Sequence, residues 1–243
     1  MDWKQFARST AGLVLGFFAA SAFAQGPVTI HVNVVAPPSA KNKKAAVPDS
    51  SNVAAWLIPL DTGAPSAAES TKAEPVIVQK NKTFQPHVTV VQAGSSIAFP
   101  NEDPFFHNVF SLYNGKRFDL GLYEAGTTRT KRFDQLGVSY LFCNIHENMS
   151  AVVITVDTPY YGVSDHLGNI EIMNVPNGRY GFHVFYERST ADDLKSIERM
   201  VTISQASRSI SGIQVTVSPE VTLTHKNKYG EDYVPPPNSG YGP

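Results

Sequence analysis

Three residues in one short segment have side chains that bind a soft transition metal. Cys143, His146 and Met149 follow one another at Cys-x2-His-x2-Met spacing, and thiolate, imidazole and thioether are ligands that suit copper. The strand-like runs SYLF and AVVITV lie before and after this segment. We therefore predict a loop at one end of a β-sandwich, in which a short turn points all three groups toward one place.

A second imidazole comes from a distant part of the chain. His107 lies near the start of the predicted strand 105–113, after the predicted turn Asn101–Pro104, in which Glu102 and Asp103 are interpreted as turn residues. Two histidines and one cysteine with a weak axial methionine form the ligand set of electron-transfer copper. Three alternatives remain open. They are a zinc site, which has no role for the methionine, a methionine that only packs in the core, and a buried structural thiol.

The N-terminus predicts export. Residues 1–24 combine the basic Lys4 and Arg8, the apolar run AGLVLGFFAA and an Ala-x-Ala cleavage site, which is the pattern of a signal peptide; an uncleaved anchor is the alternative. We expect a periplasmic or secreted protein without a membrane span after signal removal.

Cys143 is the one cysteine of the chain, and a lone thiol in an oxidising compartment has to be buried, paired between chains or coordinated.

The charge balance excludes some classes of partner. Removal of Asp2, Lys4 and Arg8 from the 20 basic and 21 acidic residues leaves 18 and 20, so we expect neither nucleic acid nor anionic lipid to bind. The chain has no Gly-x-Ser-x-Gly elbow, phosphate loop or His-Glu-x-x-His motif. We therefore predict that the protein is not an enzyme.

Short strands separated by turn residues predict an all-β protein of two sandwiches. We place a Greek-key sandwich in residues 27–157, with strands at 28–36, 53–60, 76–79, 87–91, 96–99, 105–113, 127–133, 139–142 and 151–156. A second, smaller sandwich follows in residues 158–220, with strands at 161–163, 168–172, 181–186, 199–203 and 212–217 and one helical turn at 191–197. Residues 221–243 are rich in Pro, Gly and polar residues, and we predict a tail that is disordered or laid over the surface.

Residues 84–156 resemble a cupredoxin of the amicyanin and pseudoazurin branch. Besides the Cys-x2-His-x2-Met loop, the resemblance covers Phe84-x-Pro86, the Gly94 turn that leads to Phe99-x-Asn101, and the pair His107-Asn108. It implies a mononuclear type 1 (blue) copper centre with His107 as the buried ligand, Cys143 as the thiolate, His146 as the ligand at the solvent edge and Met149 as the axial ligand. It also implies that Asn108 ties its strand to the cysteine loop by hydrogen bonds.

A weaker resemblance concerns residues 163–180, which are similar to the carboxypeptidase regulatory-like, transthyretin-like sandwich. The whole arrangement resembles periplasmic cupredoxins often labelled as methylamine utilisation proteins. Multicopper relatives have a histidine beside the cysteine, whereas Cys143 lies between Phe142 and Asn144. We therefore expect one isolated copper centre.

Three hypotheses follow for the function. The first is a periplasmic electron carrier that exchanges electrons with a redox partner protein. The second is a copper-binding accessory module without electron transfer, suggested by the appended sandwich and tail. The third is a subunit of an oxidoreductase complex whose catalytic chain is separate.

Overall fold

The computed structural model describes residues 26–35, 49–61, 74–112, 115–221 and 225–233. The predicted signal peptide, residues 1–24, lies outside these ranges. The described chain consists mainly of β-strands with one short helix, and the predicted all-β class is confirmed. Within these ranges, no helix has the length and hydropathy that a membrane crossing requires.

The strands follow one another with short connections. The first eight are β1 (Val28–Val35), β2 (Ala54–Pro59), β3 (Val78–Lys80), β4 (Thr83–Gln85), β5 (Val88–Gln92), β6 (Ser95–Pro100), β7 (His107–Ser111) and β8 (Phe118–Tyr123). The next eight are β9 (Thr128–Phe133), β10 (Gly137–Phe142), β11 (Ser150–Val156), β12 (Tyr161–Val163), β13 (Asn169–Ile172), β14 (Gly178–Phe185), β15 (Arg199–Ile203) and β16 (Ser209–Thr216). Helix α1 (Ala191–Ile197) lies before β15, and the Thr190 hydroxyl caps it by accepting the Asp193 amide.

Strands β3 to β11 form one sandwich. A five-stranded sheet has the order β5-β11-β10-β7-β8, and β6 and β9 pair in the facing layer. The β3–β4 hairpin joins that layer through a bridge from Gln79 to Asn101. Side chains from both layers, among them Phe99, Phe133 and Leu141, fill the space between them. Strands β5 and β11 run parallel, so the chain crosses between the layers instead of forming consecutive hairpins.

A second sandwich combines the two N-terminal strands with β12 to β16. One sheet has the order β13-β1-β16 and the other β12-β2-β14-β15. The predicted domain of residues 27–157 includes β1 and β2, whereas in the structure both strands are hydrogen-bonded to strands beyond residue 158. The predicted boundary therefore separates strands that share sheets. The reason is physical: β1 alternates buried and exposed residues, and alternation identifies the buried face of a strand but does not identify its sheet.

A third hydrophobic cluster joins the two sandwiches. Val88, Val90, Val152 and Ile154 of the five-stranded sheet pack there with Ala54 of β2. One face of β11 lies in the core of the first sandwich and the other in this interface, so β11 is buried along almost its whole length. A strand that is buried on both faces is continuously apolar, which explains the run AVVITV.

Residues 225–233, which belong to the predicted tail 221–243, lie against the first sandwich. The Tyr233 hydroxyl donates a hydrogen bond to the Cys143 carbonyl over 2.7 Å. The composition of the tail predicts that it forms no core of its own. Residues 225–233 are held by hydrogen bonds to the cysteine loop.

An ion pair lies between the two sandwiches. Nε2 of His87 lies 2.6 Å from a carboxylate oxygen of Glu187, and its Nδ1 lies 3.1 Å from the Ser150 carbonyl oxygen. The hydrogen bond to Glu187 raises the pKa of His87 above its usual 6.5. Because the pKa is raised on folding, the pair stabilises the fold fully below about pH 6.5, and this contribution is lost as the pH rises through the raised pKa.

Glu187→Gln is expected to lower stability more at about pH 6 than at about pH 9, because His87 is charged only at the lower pH. The measurement is the urea midpoint of wild type and variant at both pH values. Glu171→Gln, at an exposed position of β13, is the control. An equal loss of stability at both pH values would contradict the assignment.

Candidate metal centre

The loop between β10 and β11 is held by its own hydrogen bonds. The Cys143 amide donates to the Met149 carbonyl over 3.1 Å, and the Met149 amide donates to the His146 carbonyl over 3.1 Å. These bonds continue the antiparallel pairing in which Phe142 lies opposite Ser150. The backbone of all three residues of the Cys-x2-His-x2-Met motif is therefore fixed.

Strand β7 brings His107 to the same end of the sandwich. It pairs antiparallel with β10, so its first residue lies near the loop that follows β10. Sγ of Cys143 lies 3.7 Å from Nδ1 of His107 and 3.7 Å from Nδ1 of His146. The three ligand atoms all lie within 4.8 Å of one another. The structure thus brings together the three strong donors that the sequence predicts.

The four predicted ligands differ in exposure. His107, Cys143 and Met149 are fully buried, whereas His146 is half-buried. Met149 belongs to the same hydrophobic cluster as Cys143. Its burial is compatible with axial ligation and with core packing, which are the two roles that the sequence leaves open.

Hydrogen bonds stabilise the ionised form of Cys143. Burial by itself raises the pKa of this thiol, and hydrogen bonds from the rings of His107 and His146 lower it. The backbone amides of Ile145 and Asn108 act in the same direction. The resulting pKa of Cys143 is about 6, against an ordinary value of 9.0. The site therefore favours the thiolate, which is the form that binds a metal.

Asp103 orients the ring of His107. Its Oδ2 lies 2.7 Å from Nε2 of His107, so Nδ1 is the nitrogen that faces the sulfur. The same carboxylate accepts the backbone amides of Asn81 and Lys82 over 2.7 and 2.9 Å. Both residues have positive φ, 54° and 57°, in the β3–β4 turn, which is an uncommon conformation for lysine. Asp103 thus stabilises the turn and the ligand ring together.

The role of Asp103 is one that sequence reasoning missed, because an acidic residue before a proline is typical of a turn. Its side chain is nonetheless buried, at 5% exposure. Burial raises the pKa of Asp103, but the Lys82 amide and the His107 ring lower it below the usual 3.8. A buried carboxylate that remains ionised indicates a positioning role, yet its burial is visible only after folding.

Asn108 ties strand β7 to the cysteine loop, as the family resemblance implies. Its Oδ1 accepts the Asn144 amide over 3.3 Å, and its Nδ2 donates to Oδ1 of Asp119 over 2.7 Å. Asn108 is fully buried, so water does not compete for these bonds. They hold β7, β8 and the loop in one arrangement.

The donor set fits one soft or borderline transition metal. Two donors that each lie about 2.0–2.3 Å from one ion, about 115–120° apart, are separated by close to the observed 3.7 Å. One thiolate, two imidazoles and a buried thioether are the donors of electron-transfer copper. A structural zinc site uses a fourth strong ligand, and among the described residues the cluster of His, Cys, Asp and Glu donors contains His107, Cys143 and His146 alone.

The other described histidines are outside this cluster: His31, His87, His166, His183 and His225. His225 nevertheless lies close to the site. Its ring stacks on Phe142, with the ring centroids 3.9 Å apart. Nothing in the spacing of the sequence predicts this contact.

Apolar side chains surround the half-buried imidazole. The ring of Phe105 lies 5.6 Å from that of His146 and 5.2 Å from that of His107. Phe106 and Ile145, the neighbours of the two histidines in sequence, are 55% and 46% exposed. Phe105 therefore contacts both imidazoles, and an exposed apolar residue precedes each histidine in the sequence.

Comparison with known proteins gives structural matches alone. No family model and no curated protein matches the chain. Among solved structures, the chain is similar to a purple cupredoxin from Nitrosopumilus maritimus, with a TM-score of 0.31 and 21% identity over 34% of this chain and 99% of that one. It is also similar to an oxidised amicyanin variant, with a TM-score of 0.33 and 16% identity over 42% of this chain and 98% of that one. At these values the matches carry no weight for the site, whose assignment rests on its own geometry.

A third match is a copper-containing nitrite reductase from Thermus scotoductus. The TM-score is 0.33, with 17% identity over 51% of this chain and 28% of that one. The chain thus spans less than a third of the enzyme's length, and the match assigns no activity.

Asp103→Asn is expected to weaken copper binding about 10–100-fold. An amide presents one acceptor where the carboxylate has two, so it cannot accept the Asn81 and Lys82 amides and the His107 ring proton together. The dissociation constant is measured by competition with a chelator. Glu102→Gln, which removes the neighbouring charge and its pair with Lys80, is the control. Equal affinities in wild type and Asp103→Asn would show that this carboxylate does not position the ligand.

Proposed function

We propose that the chain is a cupredoxin that binds one type 1 copper ion and transfers single electrons. The observation that carries the proposal is the triad of His107, Cys143 and His146, whose donor atoms lie within 4.8 Å of one another. The lowered pKa of the Cys143 thiol supports it, because the thiolate is the required ligand. Met149 is proposed as the axial ligand.

The protein holds the donors in place before the metal binds. Copper, when bound, supplies a reversible couple between Cu(II) and Cu(I). The Asp103 carboxylate sets the ring of His107, and the Asn108 amide sets the loop at Asn144. Donors that are already in position need little rearrangement when the charge of the site changes, and this favours fast electron transfer.

The half-buried His146 is the proposed route to a redox partner protein. It is the ligand that reaches the surface; the exposed Ile145 precedes it in the sequence, and the ring of Phe105 lies 5.6 Å from its own. Apolar surface of this kind suits a transient docking contact. Glu147 adds an exposed negative charge beside the same edge, which disfavours a partner with an acidic docking face.

The proposal includes a location outside the cytoplasm and a division of the chain into two sandwiches. The signal-like residues 1–24 support a periplasmic or secreted protein. We assign the copper domain to the sandwich of β3 to β11. The regulatory-like sandwich proposed for residues 158–220 then also includes β1 (Val28–Val35) and β2 (Ala54–Pro59), because both pair with its strands. We assign no catalytic reaction to the chain.

A copper-binding accessory module without electron transfer is the second candidate. The second sandwich packs on the copper domain through a shared hydrophobic cluster. An electron carrier that only exchanges electrons does not require such an additional domain. Reduction kinetics separate the two candidates. Rapid, reversible reduction of the copper protein by a small redox reagent supports electron transfer, and a site that stays in one oxidation state supports the accessory role.

Cys143→Ser is expected to abolish the intense blue or green colour that Cu(II) gives in the wild-type protein, because the colour arises from thiolate-to-copper charge transfer. The measurement is the visible absorption spectrum during titration with Cu(II). Ser139→Ala, at a buried position of the neighbouring strand, controls for disturbance of the core. A wild-type protein without colour, or colour that persists in Cys143→Ser, would refute the copper assignment.

Met149→Ala is expected to retain copper and to change its reduction potential, because the axial thioether influences the potential of such sites. Voltammetry of the loaded protein measures the potential, and urea denaturation measures stability. Met200→Ala, at a position that is 74% exposed, is the matched control. If Met149 only packs in the core, the variant will lose about 2–5 kcal/mol of stability while the potential stays that of wild type.

A further inference from the structure

Residues 225–233, which we name the C-terminal strap, bond to the beginning of the cysteine loop. Tyr233 donates a hydrogen bond from its hydroxyl to the Cys143 carbonyl over 2.7 Å. The backbone amide of Lys228 donates to Oδ1 of Asn144 over 2.9 Å. The strap therefore holds a ligand residue and its neighbour, although it lies far from both in the sequence.

The strap also completes a ring of hydrogen bonds around the loop. Asn108 accepts the Asn144 amide and donates to Asp119. The ammonium group of Lys228 lies 2.9 Å from Oδ2 of Asp119. The backbone amide of Lys228 donates to Oδ1 of Asn144, which closes the ring. Strands β7 and β8, the cysteine loop and the strap are thus joined in one closed network, in which each bond restrains the next.

Aromatic contacts hold the strap against the end of β10. The ring of His225 stacks on that of Phe142 at 3.9 Å with an angle of 25° between the planes. The ring of Tyr233 meets His225 edge to face at 5.4 Å. Polar bonds and ring packing therefore act together on the segment from Phe142 to Asn144.

We infer that the C-terminal strap is part of the metal centre, and that Tyr233 and Lys228 are positioning residues for the Cys143 thiolate. The inference rests on the proposed function for the identity of the metal. The carbonyl that Tyr233 holds belongs to the same residue as the ligand sulfur. Asn144 is held from two sides, its amide by Asn108 and its side chain by Lys228. Without the strap, the sulfur gains freedom to move relative to the two imidazole nitrogens.

The two positioning residues contribute unequally. The ion pair of Lys228 with Asp119 is partly exposed, at 22% and 37% of the side chains, and such a pair contributes little by itself. The Tyr233 bond is part-buried and is an uncharged hydrogen bond of ordinary strength. Tyr233→Phe, which deletes the hydroxyl and keeps the ring, is therefore the sharper test.

The first experiment uses the full-length, metal-free protein. Cys143 is its one thiol, so the rate of alkylation by a maleimide at one fixed pH reports how often the buried sulfur opens to solvent. Tyr233→Phe is expected to raise this rate about three- to tenfold, with an unchanged urea midpoint. Tyr180→Phe is the matched control, because it deletes a part-buried hydroxyl that donates to the Pro176 carbonyl over 2.8 Å in the second sandwich.

The second experiment repeats the comparison with Cu(II) bound. Tyr233→Phe is expected to shift the charge-transfer absorption and the reduction potential, whereas Tyr180→Phe keeps both. In the metal-free protein, Lys228→Met removes the ion pair with Asp119. This variant is expected to raise the alkylation rate as Tyr233→Phe does, but by a smaller factor.

The results separate this inference from the proposed function. If the wild-type protein with Cu(II) gives no charge-transfer band, the proposed type 1 copper centre is refuted. The alkylation rates still test the role of the strap, because they are measured without metal. If Tyr233→Phe, like the control Tyr180→Phe, alkylates at the wild-type rate and gives the wild-type spectrum, the strap does not position the thiolate. A faster alkylation rate that is matched by an equal loss in the free energy of unfolding would also overturn the inference. The thiol would then become accessible through global unfolding and not through loss of the strap contact.

Discussion

The buried sulfur of Cys143 is the constraint on which the rest of the site depends. Burial disfavours a thiolate, so the fold has to supply hydrogen-bond donors around it. The rings of His107 and His146 and two backbone amides supply them. This requirement sets the close approach of β7 to β10 and the tight loop before β11. It also explains the ionised Asp103 behind His107, because a ring that faces the sulfur has to be held from its far side.

The two sandwiches are one packed unit around strand β11. Its alternate residues lie in the core of the first sandwich and in the cluster shared with the second sandwich. The loop that precedes β11 is thus anchored to a strand without a solvent-exposed face. The second sandwich packs against that strand, although none of its described residues belongs to the donor cluster.

Three of the four predicted ligands are recognised in the sequence because their signal is local. Cys143, His146 and Met149 lie in one turn, and a single loop geometry brings them together. Other features depend on tertiary contacts that no local pattern records. Strand β1 alternates in the same way whichever sheet it joins, the burial of Asp103 follows from the β3–β4 turn, and the strap of residues 225–233 is held by bonds to a loop distant in sequence. Its composition shows only that it cannot form a core.

X-ray absorption at the copper edge identifies the donor atoms of the site. One equivalent of copper, bound to the full-length protein, is expected to have one short bond to a thiolate sulfur and bonds to two imidazole nitrogens, with the Met149 sulfur at a longer distance. The short sulfur bond should disappear in Cys143→Ser, and one nitrogen should be lost in His107→Ala. A first shell of nitrogen and oxygen alone in the wild-type protein would contradict the account.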